Sequence, residues 1–178
     1  MTYQDTIDDT GRTRRPGTRE CGSRYDAITA HLEGERFTVL DLGAYAGYFS
    51  IRLAYDYDAH VTAVDDYPAL VERCRGWRNI TVIADRLSPE QVDRLGRFDV
   101  ILALSVLHHI PRWEQMLDVL VANSDLLFVE PSNPAERLPK AQAHCPELTA
   151  AVEALGGTEV ARTAGHRSKI ERSMWLVK

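Results

Sequence analysis

Short runs of strand formers alternate five times with stretches of helical spacing, and that alternation restricts the fold more than any other feature of the chain. The runs are "FTVLDL" (37–42), "HVTAVD" (60–65), "NITVIAD" (79–85), "FDVILALS" (98–105) and "DLLFVE" (125–130). "SRYDAITAHL" precedes them as a short helix. Phe49 and Leu53 lie four apart after the first run, and Leu70, Cys74 and Trp77 share a face after the second. "SPEQ" at 88–91 starts the third helix, with Ser88 as N-cap, Pro89 at the first position and Gln91 closing a capping box. Trp113, Met116, Leu117, Leu120 and Val121 follow the fourth run. Leu148, Ala151, Val152 and Leu155 follow the fifth, until Gly156-Gly157 stops the helix.

Two last candidates, "TEVARTAG" and "RSMWLVK", have no helix-sized segment between them and can only pair antiparallel. The expectation is an α/β fold: a doubly wound, mostly parallel seven-stranded sheet, helices on both faces, and a C-terminal antiparallel pair.

With 178 residues and 44% hydrophobic content, one such domain can bury a sizeable core. A net charge of -5 gives no global basic field for nucleic acid, and no apolar run approaches the ~20 residues of a membrane span. Residues 1–21 are polar, lack an apolar stripe and turn from acidic to basic. They read as a flexible N-terminal arm before a domain of residues 22–178. No apolar segment follows the first charges, so no secretory signal is expected. Cys21, Cys74 and Cys145 are odd in number and far apart, as in a reducing compartment. A cytoplasmic protein is expected.

In such sheets ligands bind beyond the carboxyl ends of the strands. Those ends here are Asp41, Asp65, Asp85, Leu104–Ser105 and Glu130, and Glu130-Pro131 reads as a simple strand end. The loop after Asp41 runs Leu42, Gly43, Ala44, Tyr45, Ala46, Gly47, Tyr48. A dinucleotide fingerprint from Gly43 would need glycine at 45 and 48, and both are tyrosine. A P-loop would end in Gly-Lys-Ser/Thr, which is absent. Yet Asp65 stands at the end of the second strand, about twenty residues past Gly43, where an acid meets a ribose diol. A nucleoside without a pyrophosphate fits both observations.

"VLDLGAYAG", "VTAVDDYPAL", "VIADRLS" and "FDVILALSVLHHIP" together resemble the class I S-adenosylmethionine-dependent methyltransferases. The resemblance covers residues 35 to 178, and Tyr45 replaces the middle glycine of the family's D/E-x-G-x-G-x-G loop. It implies S-adenosylmethionine as cofactor. Asp41 and the backbone of Gly43, Ala44, Tyr45 and Gly47 would hold the methionine portion. The helix start at Tyr48 would favour its carboxylate. Asp65, with Asp66 beside it, would take the ribose hydroxyls, Asp85 the adenine amino group, and the Arg86 backbone the ring edge. Leu104 and Ser105 would line the floor beneath the methyl. A strand-end acid can equally cap the next helix, and Tyr48 and Phe49 equally fill the core.

His108 and His109 are the candidate general bases, since an imidazole titrates near neutrality; packing is the alternative for either. His144 and His166 have no motif around them. Clustered acids and histidines are lacking, so no metal is expected. Arg12, Arg14, Arg15, Arg19 and Arg24 either close over an anionic acceptor or form a solvated arm. The acceptor expected is a small molecule or an exposed terminal group; phosphate-bearing nucleic-acid ends stay open without being indicated. Nothing signals an oligomeric state. The competing functions are a nicotinamide oxidoreductase, which the loop spelling opposes, and a non-catalytic cofactor-binding relative.

Overall fold

The computed structural model describes residues 3–8, 11–19, 21–136, 145–165 and 170–178. In chain order the elements are β1 (Thr6–Ile7), β2 (Thr13–Arg15), α1 (Cys21–Thr29), β3 (Thr38–Leu42), α2 (Tyr48–Tyr57), β4 (His60–Val64), α3 (Ala69–Cys74) and β5 (Ile80–Ile83). They continue with α4 (Pro89–Asp93), β6 (Phe98–Leu104), a 3-10 turn (Leu107–His109), α5 (Trp113–Ala122), β7 (Ser124–Glu130), α6 (Cys145–Ala154), β8 (Thr158–Ala164) and β9 (Glu171–Val177). His144 and His166 lie outside the described residues.

The large sheet has the order β5-β4-β3-β6-β7-β9-β8. Pairs from β5 to β7 are parallel, and β9 runs antiparallel to both β7 and β8. The expected α/β architecture is therefore present, including the closing pair. After β5 the chain crosses back to lay β6 beside β3, so the winding reverses between those two strands. A crevice opens at such a switch point, beyond the carboxyl ends. The loops after β3 and β6 meet there.

Strand parity assigns side chains to faces. Val39, Val61, Ala63, Leu102 and Phe128 pack with Tyr25, Phe49, Leu53 and Leu70 from α1 to α3. Leu40, Leu42, Ile101, Leu127 and Val129 pack with Val92, Trp113, Met116, Leu120, Leu148 and Val152 from α4 to α6. Asp41 shares parity with Val39, and Glu130 with Phe128, so both acids fall on the α1–α3 side. The capping box at Ser88 is formed as expected, with Ser88 Oγ accepting from Gln91 N and Gln91 Oε1 accepting from Ser88 N. Trp77 lies beyond α3, which ends at Cys74, and packs half-buried against the first core. Cys21, Cys74 and Cys145 are free and buried.

The amino-terminal segment departs from the loose arm expected of it. β1 and β2 pair as a small antiparallel hairpin, Gln4 and Arg19 are buried, and Arg12, Arg14 and Arg15 remain exposed. Polar side chains and backbone bonds hold it, which is why the absence of an apolar stripe misleads there. Among the described residues no helix is long and apolar enough to cross a membrane.

Candidate active site

Below the crevice, Asp41 is almost fully buried and faces α2, where its Oδ2 accepts from Ser50 Oγ at 2.6 Å. Burial pushes its pKa up to about 6; the Ser50 hydroxyl opposes that rise and the Asp65 charge adds to it. Asp41 thus anchors the start of α2 from beneath the loop. Above it, the amides of Gly43 and Ala44 both donate to Val64 O, at 2.9 and 3.1 Å, tying the loop to the end of β4. Gly43 has φ +80°, and a Cβ there would stand 2.7 Å from Val106 Cβ. No other residue fits without moving the loop. Gly47, also at φ +80°, is the N-cap of α2.

Tyr45 solves the problem its sequence poses by taking the glycine's conformation. Its φ is +53°, a left-handed geometry that costs a side-chain-bearing residue about 1–2 kcal/mol. Two contacts offset that cost. Its amide donates to Asp65 Oδ2 at 2.8 Å, and its ring stacks flat on Tyr67, with centroids 4.2 Å apart and planes 5° apart. Tyr3 meets the same ring edge-on at 5.4 Å.

Asp65 fixes two turns at once, because its Oδ1 also accepts from Tyr67 N at 2.8 Å. A carboxylate offers about four lone-pair sites, so capacity remains for a diol. Asp66 and Arg86 form an exposed ion pair at 2.6 Å, and Asp85 is exposed. The Arg86 amide, expected to meet a ring edge, donates instead to Asp85 Oδ1 at 2.7 Å.

The amino-terminal end of α2 is not the open anion site the sequence suggests. The amides of Ala46 and Tyr48 both donate to Gln4 Oε1, at 3.2 and 3.3 Å. A buried glutamine oxygen stands where a carboxylate was expected.

Across the crevice, Leu104 is buried and Ser105 adopts φ +59°. Ser105 N donates to Glu130 O at 2.9 Å, and Ser105 Oγ donates to Glu130 Oε1. Glu130 is fully buried and more than a strand end. Arg19 donates to its Oε1 and to Ala164 O, while Arg24 Nη1 lies 3.6 Å from its Oε2. Arg24 also lies over the Phe49 ring, 5.1 Å from its centroid. Neither arginine belongs to a solvated arm. Chain separation hides this cluster from the sequence; the signal that was present is the parity of Glu130 with buried Phe128.

The two histidines separate sharply. His108 is buried, and its Nδ1 has no hydrogen-bond partner among the described residues. Desolvation, then His109 and Arg172, depress its pKa to about 3, so the neutral range assumed from sequence does not hold. Such an imidazole stays uncharged and is a weak base. His109 is exposed, with its ring 4.2 Å from that of His108. Among the described residues no group of three or more His, Cys, Asp or Glu side chains is arranged to hold a metal ion.

Residues 39–123, from β3 through α5, match the family model of a methyltransferase domain. The likeness to that family runs through the strand–helix units from β3 to α5. Solved structures share its fold. The N-terminal domain of EvdMO1, solved with S-adenosylhomocysteine and D-fucose, aligns with a TM-score of 0.64 at 16% identity, over 98% of this chain and 89% of that one. A Burkholderia thailandensis 1,6-didemethyltoxoflavin-N1-methyltransferase, with bound 1,6-didemethyltoxoflavin and S-adenosylhomocysteine, aligns with a TM-score of 0.61 at 23% identity, over 88% of this chain and 77% of that one. The chain spans about a third (34%) of the length of a coclaurine N-methyltransferase, with 61% of this chain covered, 23% identity and a TM-score of 0.49. At these identities the likeness is one of fold. No curated protein matches the chain in sequence. The matched residues contain the loop, Asp65, Asp85, Ser105 and both histidines. Gln4, Arg19 and Glu130 lie outside the matched residues.

Proposed function

We propose that this chain transfers a methyl group from S-adenosylmethionine to a small-molecule acceptor in the cytosol. The observation that carries this reading is the Tyr45–Asp65 junction. A left-handed loop residue donates its amide to an acid that keeps free acceptor sites, at the switch point of the sheet. The residues present fit a nucleoside cofactor. Asp65 would take the ribose hydroxyls, Asp85 a base amino group, and the 43–47 backbone the amino-acid portion. EvdMO1 and the toxoflavin enzyme, both solved with S-adenosylhomocysteine, support the choice of cofactor.

Bound S-adenosylmethionine supplies an activated methyl on a sulfonium. The chain's task is then alignment and exclusion of water. Leu104 and Ser105 form the floor, with Ser105 locked by Glu130 from below. His109, the exposed and less desolvated member of the pair, would remove a proton from an acceptor hydroxyl or amine; His108 would support it by packing. Residues 22–178 form the catalytic domain in this reading.

Calorimetry with S-adenosylhomocysteine and with NAD tests it. Binding of the first and not the second is expected. Preferential binding of NAD would overturn the reading in favour of an oxidoreductase.

A further inference from the structure

Gln4 is buried against the loop and makes three hydrogen bonds to it. Its Nε2 donates to Ala44 O at 3.2 Å, while its Oε1 accepts from Ala46 N and Tyr48 N. One side chain therefore satisfies a carbonyl and two amides on both flanks of Tyr45, the left-handed residue. Its own position is fixed by the returning leg of the amino-terminal segment. Thr18 N and Arg19 N both donate to Tyr3 O at 3.1 Å, and Gly17 N donates to Asp5 Oδ1 at 2.6 Å. The legs lie so close that a Cβ on Gly17 would stand 2.3 Å from the Gln4 carbonyl carbon. Arg19, two residues on, is held by Glu130 and Ala164.

We propose that Gln4 is a positioning residue for cofactor binding: it acts through the backbone of Ala44, Ala46 and Tyr48 to hold the Tyr45 loop in its binding shape. The inference rests on the cofactor reading above. A loop with glycine at 45 would adopt the left-handed turn at little cost. With tyrosine there, alternative loop conformations lie closer in energy, and the Gln4 clamp excludes them. Removing it leaves the buried amides of Ala46 and Tyr48 to find other partners, while Ala44 O still accepts from Gly47 N at 2.9 Å, and the two amides do so most readily by letting the loop relax. The amino-terminal segment is then part of the site, although it lies outside the matched domain.

The test compares wild type with Gln4→Ala and Gln4→Glu, reading S-adenosylhomocysteine affinity by calorimetry and amide hydrogen exchange residue by residue. Gln4→Ala should weaken binding by about tenfold or more, the effect of losing buried hydrogen bonds. Exchange should quicken at Ala46 and Tyr48 while β3 and β6 keep their protection. Gln4→Glu keeps an oxygen for the two amides and loses the donor to Ala44 O, so it should restore part of the affinity. Gly17→Ala, which displaces the Gln4 backbone, should reproduce both effects of Gln4→Ala. Wild-type affinity in Gln4→Ala, or unchanged exchange at Ala46 and Tyr48, would overturn the clamp alone. Failure of the wild-type protein to bind S-adenosylhomocysteine would overturn the cofactor reading, and the clamp with it.

Discussion

The two sides of the crevice are built by opposite means. On the β3–β4 side the loop is shaped by backbone amides, with Val64 O, Asp65 and Gln4 as their acceptors. On the β6–β7 side the floor is held by buried charge, with Glu130 between Arg19 and Arg24 and bonded to Ser105. Backbone bonds fix a shape whatever the protonation state around them. A buried ion cluster is stable only while every member is present, because each charge left alone keeps its desolvation cost. The β3–β4 side, where the proposal puts the methyl donor (the donor side), should therefore fail locally when altered, and the β6–β7 side (the acceptor side) globally.

Glu130→Ala is the strongest way to break that contrast. It leaves two buried guanidiniums facing no carboxylate at this position, and a loss of about 3–5 kcal/mol in urea unfolding is expected. A loss under about 1 kcal/mol would mean that the cluster is not a structural anchor and that the two sides do not differ in kind.

His109→Ala probes the same side without touching the cluster. As the proposed base it should lose about 10²-fold in methyl transfer to an acceptor hydroxyl or amine, with S-adenosylhomocysteine affinity and the unfolding midpoint little changed. His108→Ala should do the reverse, lowering stability by removing a buried ring. Equal turnover in wild type and His109→Ala would remove the base from the reading.

Asp65→Ala tests the donor side. The acid joins two backbone amides and is expected to meet the ribose diol, so affinity should fall by roughly ten- to hundredfold, or 1–3 kcal/mol. The global unfolding free energy should move much less than for Glu130→Ala. If Asp65→Ala instead unfolds the protein to the same degree, the loop is an anchor of the fold and the contrast collapses.

The same contrast explains which residues could be read from the sequence. The alternation of strands and helices, the closing antiparallel pair, the Gly43 turn and the Ser88 capping box depend on neighbours in the chain or on periodicity, and both are visible in letters. Glu130 and Arg19 meet across 111 positions, and nothing local distinguishes Arg19 from exposed Arg14 or Arg15. Gln4 gives no signal at all, since a glutamine in a polar stretch is ordinarily exposed. His108 and His109 are adjacent and identical in type. Only their placement, one buried and one exposed, sets their chemistry apart.

The smallest expected effect is a cancellation, and it sets the two sides against each other directly. On the donor side Asp41 has a pKa raised to about 6 by burial, above its ordinary 3.8. Between those values the folded chain holds a proton that the unfolded chain has released. This group's contribution is complete below the ordinary value and is lost as pH rises through about 6. On the acceptor side His108 is depressed to about 3 from 6.5. Between those values the unfolded chain holds the extra proton, so its contribution is complete above 6.5 and is lost as pH falls towards 3. From about pH 4 to 6 the two slopes oppose, each approaching about 1.4 kcal/mol per pH unit when one proton separates the states. Between them they should leave wild-type stability nearly flat there. Asp41→Asn should uncover the histidine slope, so that acidification destabilises that variant relative to wild type. His108→Gln should uncover the carboxylate slope, so that acidification stabilises it relative to wild type. Urea unfolding of the three proteins at pH 4, 5 and 6 reads both signs. If the two variants tilt the same way, one of the buried groups does not titrate as its surroundings dictate.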